Sequence, residues 1–404
     1  AYWRACRAWL VRSCDEPARH RSFTYRYDEH AAHRIRYFGI MTMLLAGFGT
    51  AVPEHSIAQE DAADIGARFA AMDPKRAGTV RALYRKAGVR KRHSVLLERA
   101  DGAPMDRQSF YEEAVSKDDP GPSTGLRMRR YESDAPALAE AAAHAALRDA
   151  ALAPEELTHI VTVSCTGFFS PGLDAALIDR LGLSPGVERT HIGFMGCHGA
   201  LNGLRVASSF LGAKPDARVL VAAVELCTLH FAYGRDPQLV VANSLFADGA
   251  AAVVGVSGDG ADAGGWRVLA TGSLLMPDSA DSMSWRIGDH GFRMTLSANV
   301  PHLIAAHLGG WLERWLGQHG LGVDDVASWA VHPGGPRVLR AVGDALGLTN
   351  GAMEVSRDVL SEFGNMSSAT VLFILDRLRR RDAPRPCVAL AFGPGLVVEA
   401  VLLA

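Results

Sequence analysis

An α/β protein of layered, duplicated architecture is what this chain is predicted to form, and three features lead there. Strand-like and helix-like stretches follow one another from Met41 onward. A unit also recurs: Glu155-Glu-Leu-Thr-His-Ile-Val-Thr-Val163 resembles Asp324-Asp-Val-Ala-Ser-Trp-Ala-Val-His332 at an offset of 169 residues, Leu181-Gly-Leu183 returns as Leu346-Gly-Leu348, and Arg218 to Ala223 returns as Pro386 to Ala391. Two αβ units stacked about a pseudo-twofold account for the recurrence. Finally, Cys197 stands where a strand turns into a helix, and nearly the same offset carries it to Asn365.

Taken in order, the first element is a strand around Leu44 to Phe48. Arg34, Arg36 and the apolar Phe38 to Val52 imitate a secretory signal, but Gly47 and Gly49 interrupt the run, no small-x-small cleavage site follows, and it is too short to cross a bilayer. Residues 1–40, with eight Arg and little periodicity, are expected to be an extension outside the fold. Asp15, Glu16, Asp28 and Glu29 dilute its charge and argue against a basic nucleic-acid-binding tail. Residues 41–263 are expected to form the half carrying the nucleophile, and 264–404 the half carrying His332 and Asn365. Ile57 to Met72 has helical spacing. Val80 to His93 is a basic run with Arg81, Arg85, Lys86, Arg90, Lys91 and Arg92, read as a solvated face or a contact for a phosphorylated substrate. A loop over 117–125 precedes an alanine-rich helix, Ala135 to Ala150, which leads into a strand, Ile160 to Ser164.

The composition excludes several classes. With 404 residues, 48% hydrophobic and 21% charged, the chain can bury one large core or two medium ones. A formal charge of −2 gives no electrostatic reason to expect nucleic acid or an anionic membrane as partner. Six cysteines, at 6, 14, 165, 197, 227 and 387, form no C-x-x-C pair, which argues against a zinc site and a disulfide framework and fits a reducing cytoplasm.

Cys197 lies in Gly193-Phe-Met-Gly-Cys197-His-Gly199, and Ala200, Leu201, Leu204 and Ala207 continue with helical spacing. Backbone N–H groups and the dipole at a helix N-terminus are expected to lower the thiol pKa and to hold an oxyanion. Most free cysteines are simply small buried hydrophobes, so the case needs partners. His332 passes from a strand straight into Pro333-Gly-Gly-Pro336, which exposes a side chain at a sheet's carboxyl end. Asn365, in Phe363-Gly-Asn-Met-Ser-Ser368, is expected to begin the helix equivalent to the one after Cys197. Singly, His332 reads as a surface or satisfied core residue and Asn365 as a helix cap. Converging on one pseudo-twofold axis, a thiolate, an imidazole and a carboxamide suit acyl transfer with carbon–carbon bond formation. No metal or redox cofactor is called for.

These residues resemble the type III polyketide synthases, the chalcone synthase superfamily, in their bacterial form. The resemblance runs from about Met41 to the C-terminus through Gly196-Cys-His-Gly199, Arg218-Val-Leu-Val221 with Glu225, Ser244-Leu-Phe-Ala-Asp-Gly-Ala-Ala251, His332-Pro-Gly-Gly-Pro336, Gly364-Asn-Met-Ser-Ser368 and Gly393-Pro-Gly-Leu-Val-Val-Glu399. It implies a thiolase-like αβαβα fold, a catalytic triad of Cys197, His332 and Asn365, and a gatekeeper at Phe246. It implies a cavity lined by Cys165, Thr166, Cys227, His230, Met283, Trp285, Met294 and Ser367, and phosphates of coenzyme A held by Lys86 with Arg81 or Arg85. A homodimer is implied, with Ser170 reaching the partner's cavity. Coenzyme A thioesters are the implied substrates: an acyl starter extended with malonyl units and closed to a pyrone, a resorcinol or a related phenolic. Trp285 stands where chalcone synthase has a glycine, so a different product is implied. The alternatives are a β-ketoacyl-acyl-carrier-protein synthase of the initiating kind, which uses the same three residue types once per product, a papain-like hydrolase, whose Cys-Gly-Ser-Cys-Trp surround is missing, and a silent scaffold.

Overall fold

The apolar run that imitates a signal is a central strand. The structure, a computed structural model, describes residues 42–70, 74–116, 118–258 and 265–404. The extension expected over 1–40 and the boundary expected at 263/264 lie outside the described residues. The fold starts with β1 (Thr42–Ala51) and β2 (Ser56–Ala58), followed by α1 (Gln59–Phe69), α2 (Pro74–Lys86) and β3 (Lys91–His93). Next come α3 (Thr124–Asp149), β4 (His159–Ser164), α4 (Leu173–Leu181), β5 (Glu188–Gly193) and α5 (Gly199–Ala213). Strand β6 (Arg218–Leu226), α6 (Pro237–Leu245) and β7 (Asp248–Gly258) close this part. The remainder holds β8 (Trp266–Leu275), the hairpin β9 (Met283–Gly288) and β10 (Gly291–Leu296), and α7 (Val300–Gly317). It ends with β11 (Ser328–Val331), α8 (Pro336–Leu346), α9 (Glu354–Phe363), α10 (Ala369–Arg380), β12 (Cys387–Gly393) and β13 (Val397–Leu403).

Nine strands form one sheet in the order β11-β12-β13-β8-β1-β7-β6-β4-β5. At its centre β1 and β8 pair antiparallel, Met43 opposite Val268. Reading outward, β1-β7-β6-β4 and β8-β13-β12-β11 follow the same rule: two antiparallel pairings, then a parallel one. The repeat in sequence is therefore a repeat in topology. Its small marks recur too, since α4 and α8 both end on a left-handed glycine, Gly182 and Gly347, each at φ 65°.

Strand periodicity places the cores. In β6, Leu220, Ala222 and Val224 join a core with α3, while Val219, Val221 and Ala223 join a second core with α5 and α10. In β12, Cys387, Ala389 and Ala391 face that same second core, and Val388, Leu390 and Phe392 face a third with α7 and α8. Helices thus lie outside each sheet half and between them, in five layers αβαβα. Gly49 explains the close seat of α3 on β1, because a Cβ there would lie 2.0 Å from the carbonyl oxygen of Ala142.

Two boundaries differ from the sequence reading. Helix α3 reaches back to Thr124 and continues through Pro136, because Arg127 and Tyr131 are buried on the same face as Ala135 and Leu138. A buried arginine breaks the apolar pattern that would have revealed this first stretch. Ile57 belongs to β2, and α1 starts only at Gln59.

Candidate active site

Strand β5 ends at a tight turn. Phe194 and Gly196 both have left-handed backbone, at φ 60° and 69°, and a Cβ on Gly196 would lie 2.3 Å from Cδ of Pro394. Gly196–His198 form a single 3-10 turn before α5, so Cys197 enters the site from one repeat while Pro394 closes over the turn from the other. Asn365 does not begin a helix. It stands four residues before Ala369 and forms a parallel bridge with Phe246, and Ser368 is the N-cap of α10. The side-chain oxygen of Asn365 accepts the Ser367 N–H at 2.8 Å, and the Asn365 side chain is near enough to Cys197 to favour its thiolate. The Ser367 hydroxyl donates to Cys197 Sγ at 3.5 Å and shares a hydrogen bond of 3.1 Å with Cys165 Sγ.

His332 follows β11, is fully buried, and donates its backbone N–H to the Leu390 carbonyl at 2.7 Å. Neither ring nitrogen has a hydrogen-bond partner among the described residues. Burial, reinforced by the charge His198 would carry, pulls its pKa down to about 3, so the ring is neutral at physiological pH.

The thiol departs from the sequence expectation. The Ser367 hydroxyl, Asn365 and the backbone favour the thiolate, but desolvation by the surrounding protein outweighs them and pushes Cys197, partly exposed at the cavity wall, up to about 12. A lowered value was read from the helix terminus alone, and burial is a property of the fold that a local motif does not report. The sign has a measurable consequence. Because thiolate is the reactive form, alkylation of Cys197 by iodoacetamide should accelerate about tenfold per pH unit from pH 7 to 9; a plateau reached below pH 8 would show that the helix terminus prevails.

Beneath these groups lies Glu225, a buried carboxylate at the end of β6. It accepts from the Cys165 N–H at 3.0 Å, the Thr166 hydroxyl at 2.7 Å and the Ser368 hydroxyl. Burial raises its pKa, and these donors oppose the rise. One acceptor therefore ties the ends of β4 and β6 to the start of α10.

A cavity of about 630 Å³, counted with its open mouth, adjoins Cys197. Cys165, Thr166, Cys227, His230, Phe246, Met283, Trp285, Met294 and Ser367 all line it; His332 and Asn365 do not line it. Trp285 and Met294 face each other across the β9–β10 hairpin, and the Trp285 indole donates to the Cys165 carbonyl at 2.7 Å. His230 is held through both nitrogens: Nε2 donates to the Thr166 carbonyl at 2.6 Å and Nδ1 accepts the Phe292 N–H at 3.0 Å. Its ring stacks on Phe292 at 4.1 Å, and burial lowers its pKa to about 3, so it is a neutral brace.

The sequence reading missed Phe292, although it lies two residues from Met294 and alternation puts both on one face. It also missed Leu239, Ala242 and Asn243, which with Phe246 form a helical stripe along α6 facing the cavity. Of the basic residues, Arg81 is paired with Asp64 at 2.8 Å on the surface, and Arg85 and Lys86 are exposed in the last turn of α2, which packs on α6. Ser170 lies exposed on the loop between β4 and α4, outside the cavity wall.

The doubled sheet, with a cysteine turn from one repeat and a buried histidine and an asparagine from the other, defines a thiolase-like fold. The chain matches Chalcone and stilbene synthases, N-terminal domain, over residues 29–259 and Chalcone and stilbene synthases, C-terminal domain, over residues 268–404. It is 38% identical over 364 residues to 1,3,6,8-tetrahydroxynaphthalene synthase of Streptomyces peucetius subsp. caesius, covering 89% of this chain and 92% of that protein. It is 31% identical over 368 residues to the alpha-pyrone synthesis polyketide synthase-like Pks18 of Mycobacterium tuberculosis, covering 89% and 90%. Among solved structures, PKS-I of the brown alga Ectocarpus siliculosus superposes with a TM-score of 0.84 at 30% identity, covering 91% of this chain and 99% of that one. The chain belongs to the chalcone and stilbene synthase family and is an acyltransferase of the type III polyketide synthase class. This sets aside the initiating carrier-protein synthase as a reading of the sequence.

Proposed function

We propose that Cys197 takes an acyl group from a coenzyme A thioester and that malonyl-coenzyme A then extends it repeatedly before the chain closes to a pyrone, a resorcinol or a related phenolic. As Cys197 Sγ attacks the thioester carbonyl, its proton passes to His332, and the departing coenzyme A thiolate takes it up. Malonyl-coenzyme A then loses carbon dioxide; the electron pair left behind forms an enolate, whose oxygen accepts hydrogen bonds from a His332 ring N–H and the Asn365 amide. The enolate carbon attacks the acyl carbonyl, the carbon–sulfur bond breaks and Cys197 leaves as thiolate; it then takes the extended chain back from the coenzyme A thioester just formed, releasing coenzyme A as the thiolate, before the next extension. The observation that carries this reading is the meeting of the two repeats at the sulfur: the Ser367 hydroxyl donates to Cys197 Sγ, the Ser367 N–H holds the Asn365 side-chain oxygen, and the Asn365 amide is left as a donor on the side where it favours the thiolate. A neutral His332 complements it, since a ring with a pKa near 3 donates a hydrogen bond to an enolate. Every step is assigned to side chains and substrates, without a metal or redox cofactor.

Arg85 and Lys86 are the proposed contacts for coenzyme A phosphates, with Arg81 one turn before them; their exposure at the end of a helix packed against the cavity-lining α6 supports this. Trp285 is proposed to limit chain length, because its indole is pinned across the cavity. The test is mass spectrometry of products from malonyl-coenzyme A with a panel of acyl-coenzyme A starters. The wild type should release products of two or more extensions, and Trp285→Ala should shift them toward longer chains; products of a single condensation only would overturn the reading.

A homodimer is the proposed assembly. Strand β5 is an edge of the sheet, and half-exposed Phe168 and partly exposed Met195 flank its end beside the Ser170 loop. Light scattering should give twice the chain mass, and a fully active monomer would count against it. Free thiols at Cys165, Cys197, Cys227 and Cys387 suit the reducing cytoplasm as its place of work.

A further inference from the structure

Arg92 belongs to the basic run that reads as a solvated face or a phosphate contact, and it is neither. Its side chain is 1% exposed and lies against the carboxyl end of α6. One guanidinium nitrogen donates to the carbonyls of Asn243 at 2.7 Å and Phe246 at 2.9 Å; another donates to the Ser244 carbonyl at 2.6 Å and to the side-chain oxygen of Gln59. Gln59 in turn donates to the Ser244 carbonyl at 3.0 Å and the Tyr84 carbonyl at 2.9 Å. The last turn of a helix leaves carbonyls without intrahelical donors at the negative end of its dipole, and a forked, planar cation can satisfy several at once.

What hangs on that turn is the site. Asn365 donates its N–H to the Leu245 carbonyl, and Ala247 donates to the Asn365 carbonyl, both at 2.9 Å. Phe246 and Asn365 are thereby locked in parallel register. A single buried guanidinium fixes the backbone from which both the cavity ring of Phe246 and the amide of Asn365 are aimed.

We propose that Arg92 is a positioning residue for the condensation, holding Phe246 and Asn365 in one register, so that its fork governs both the rate of enolate formation and the number of extensions. The proposal rests on the roles given above to Phe246 and Asn365. A cap that served stability alone could be replaced by anything that folds. A positioning group could not, because a misplacement of about 1 Å costs on the order of 100-fold in rate.

Arg92→Lys keeps the charge but cannot fork to three carbonyls. Gln59→Leu leaves Arg92 in place and removes one of its acceptors and a second donor to Ser244. Both are compared with the wild type and Asn365→Ala for malonyl-coenzyme A decarboxylation, product length by mass spectrometry, and thermal melting. Arg92→Lys, folded, should lose about 10- to 100-fold in kcat with KM changed less than about twofold, and should release shorter products. Gln59→Leu should shift both in the same direction by about threefold. Variants that melt earlier yet keep wild-type kcat and product ratios would overturn the proposal, and if Arg92→Lys does not fold, Gln59→Leu decides by the same criterion. A wild type that does not decarboxylate malonyl-coenzyme A, or an Asn365→Ala variant as fast as the wild type, would overturn the reading of the site and the proposal with it.

Discussion

Replacing Cys197 with alanine should suppress product release by roughly a thousandfold or more while malonyl-coenzyme A is still decarboxylated. The proposed cycle returns the acyl chain to the Cys197 sulfur for each extension, and alanine offers no bond for it. In the proposed cycle enolate formation draws on other atoms, the His332 ring and the Asn365 amide, which alanine leaves in place. Cys165, which shares the Ser367 hydroxyl, does not substitute: its thiol is buried, and Glu225 close by raises its pKa further. Carbon dioxide release and product mass spectra, recorded on the same samples, separate the two functions. Polyketide from the variant at the wild-type rate would remove Cys197 from the reaction.

Asn365→Ala should give the opposite pattern. Losing one donor to a developing oxyanion costs about 100- to 1,000-fold, and the loss should fall on decarboxylation and every extension that depends on it. Starter loading needs only the thiol and a proton acceptor, so intact-protein mass spectrometry should still find acylated Cys197 when the variant is given an acyl-coenzyme A alone. Undiminished decarboxylation would mean that His332 holds the enolate without help. The two variants together cut the cycle at different bonds.

How much of this was legible depends on whether a property is local. Strands β6 and β12 carry an alternation that survives without context, and the glycines before Cys197 mark a turn whose φ values the structure confirms. The doubled topology could be read from Leu181-Gly-Leu183 and Leu346-Gly-Leu348, because a left-handed glycine ends each of the two equivalent helices. Properties set by the surroundings could not. Cys197 has the helix terminus its motif promises and a thiol shifted the other way, since desolvation comes from residues far along the chain. Arg92 and Arg127 look like solvent-facing charges and are among the most buried side chains of the fold, each satisfied largely by main-chain carbonyls that no pattern of residue types reveals. The Asn365 reading failed for a related reason: a bridge to Phe246, distant in sequence, occupies the place where a helix start was expected.

Met283, Trp285, Phe292 and Met294 wall the cavity, yet the hairpin that carries them forms a two-stranded sheet of its own and shares no ladder with the nine strands behind it. The hairpin meets that sheet through single bonds, such as those from the Trp285 indole to the Cys165 carbonyl and from the Phe292 N–H to His230, so a change of wall residue breaks no sheet ladder. Walls can therefore be changed at these positions with the nine-stranded scaffold left intact, and the hairpin as a whole is a compact unit to exchange when a different cavity shape is wanted.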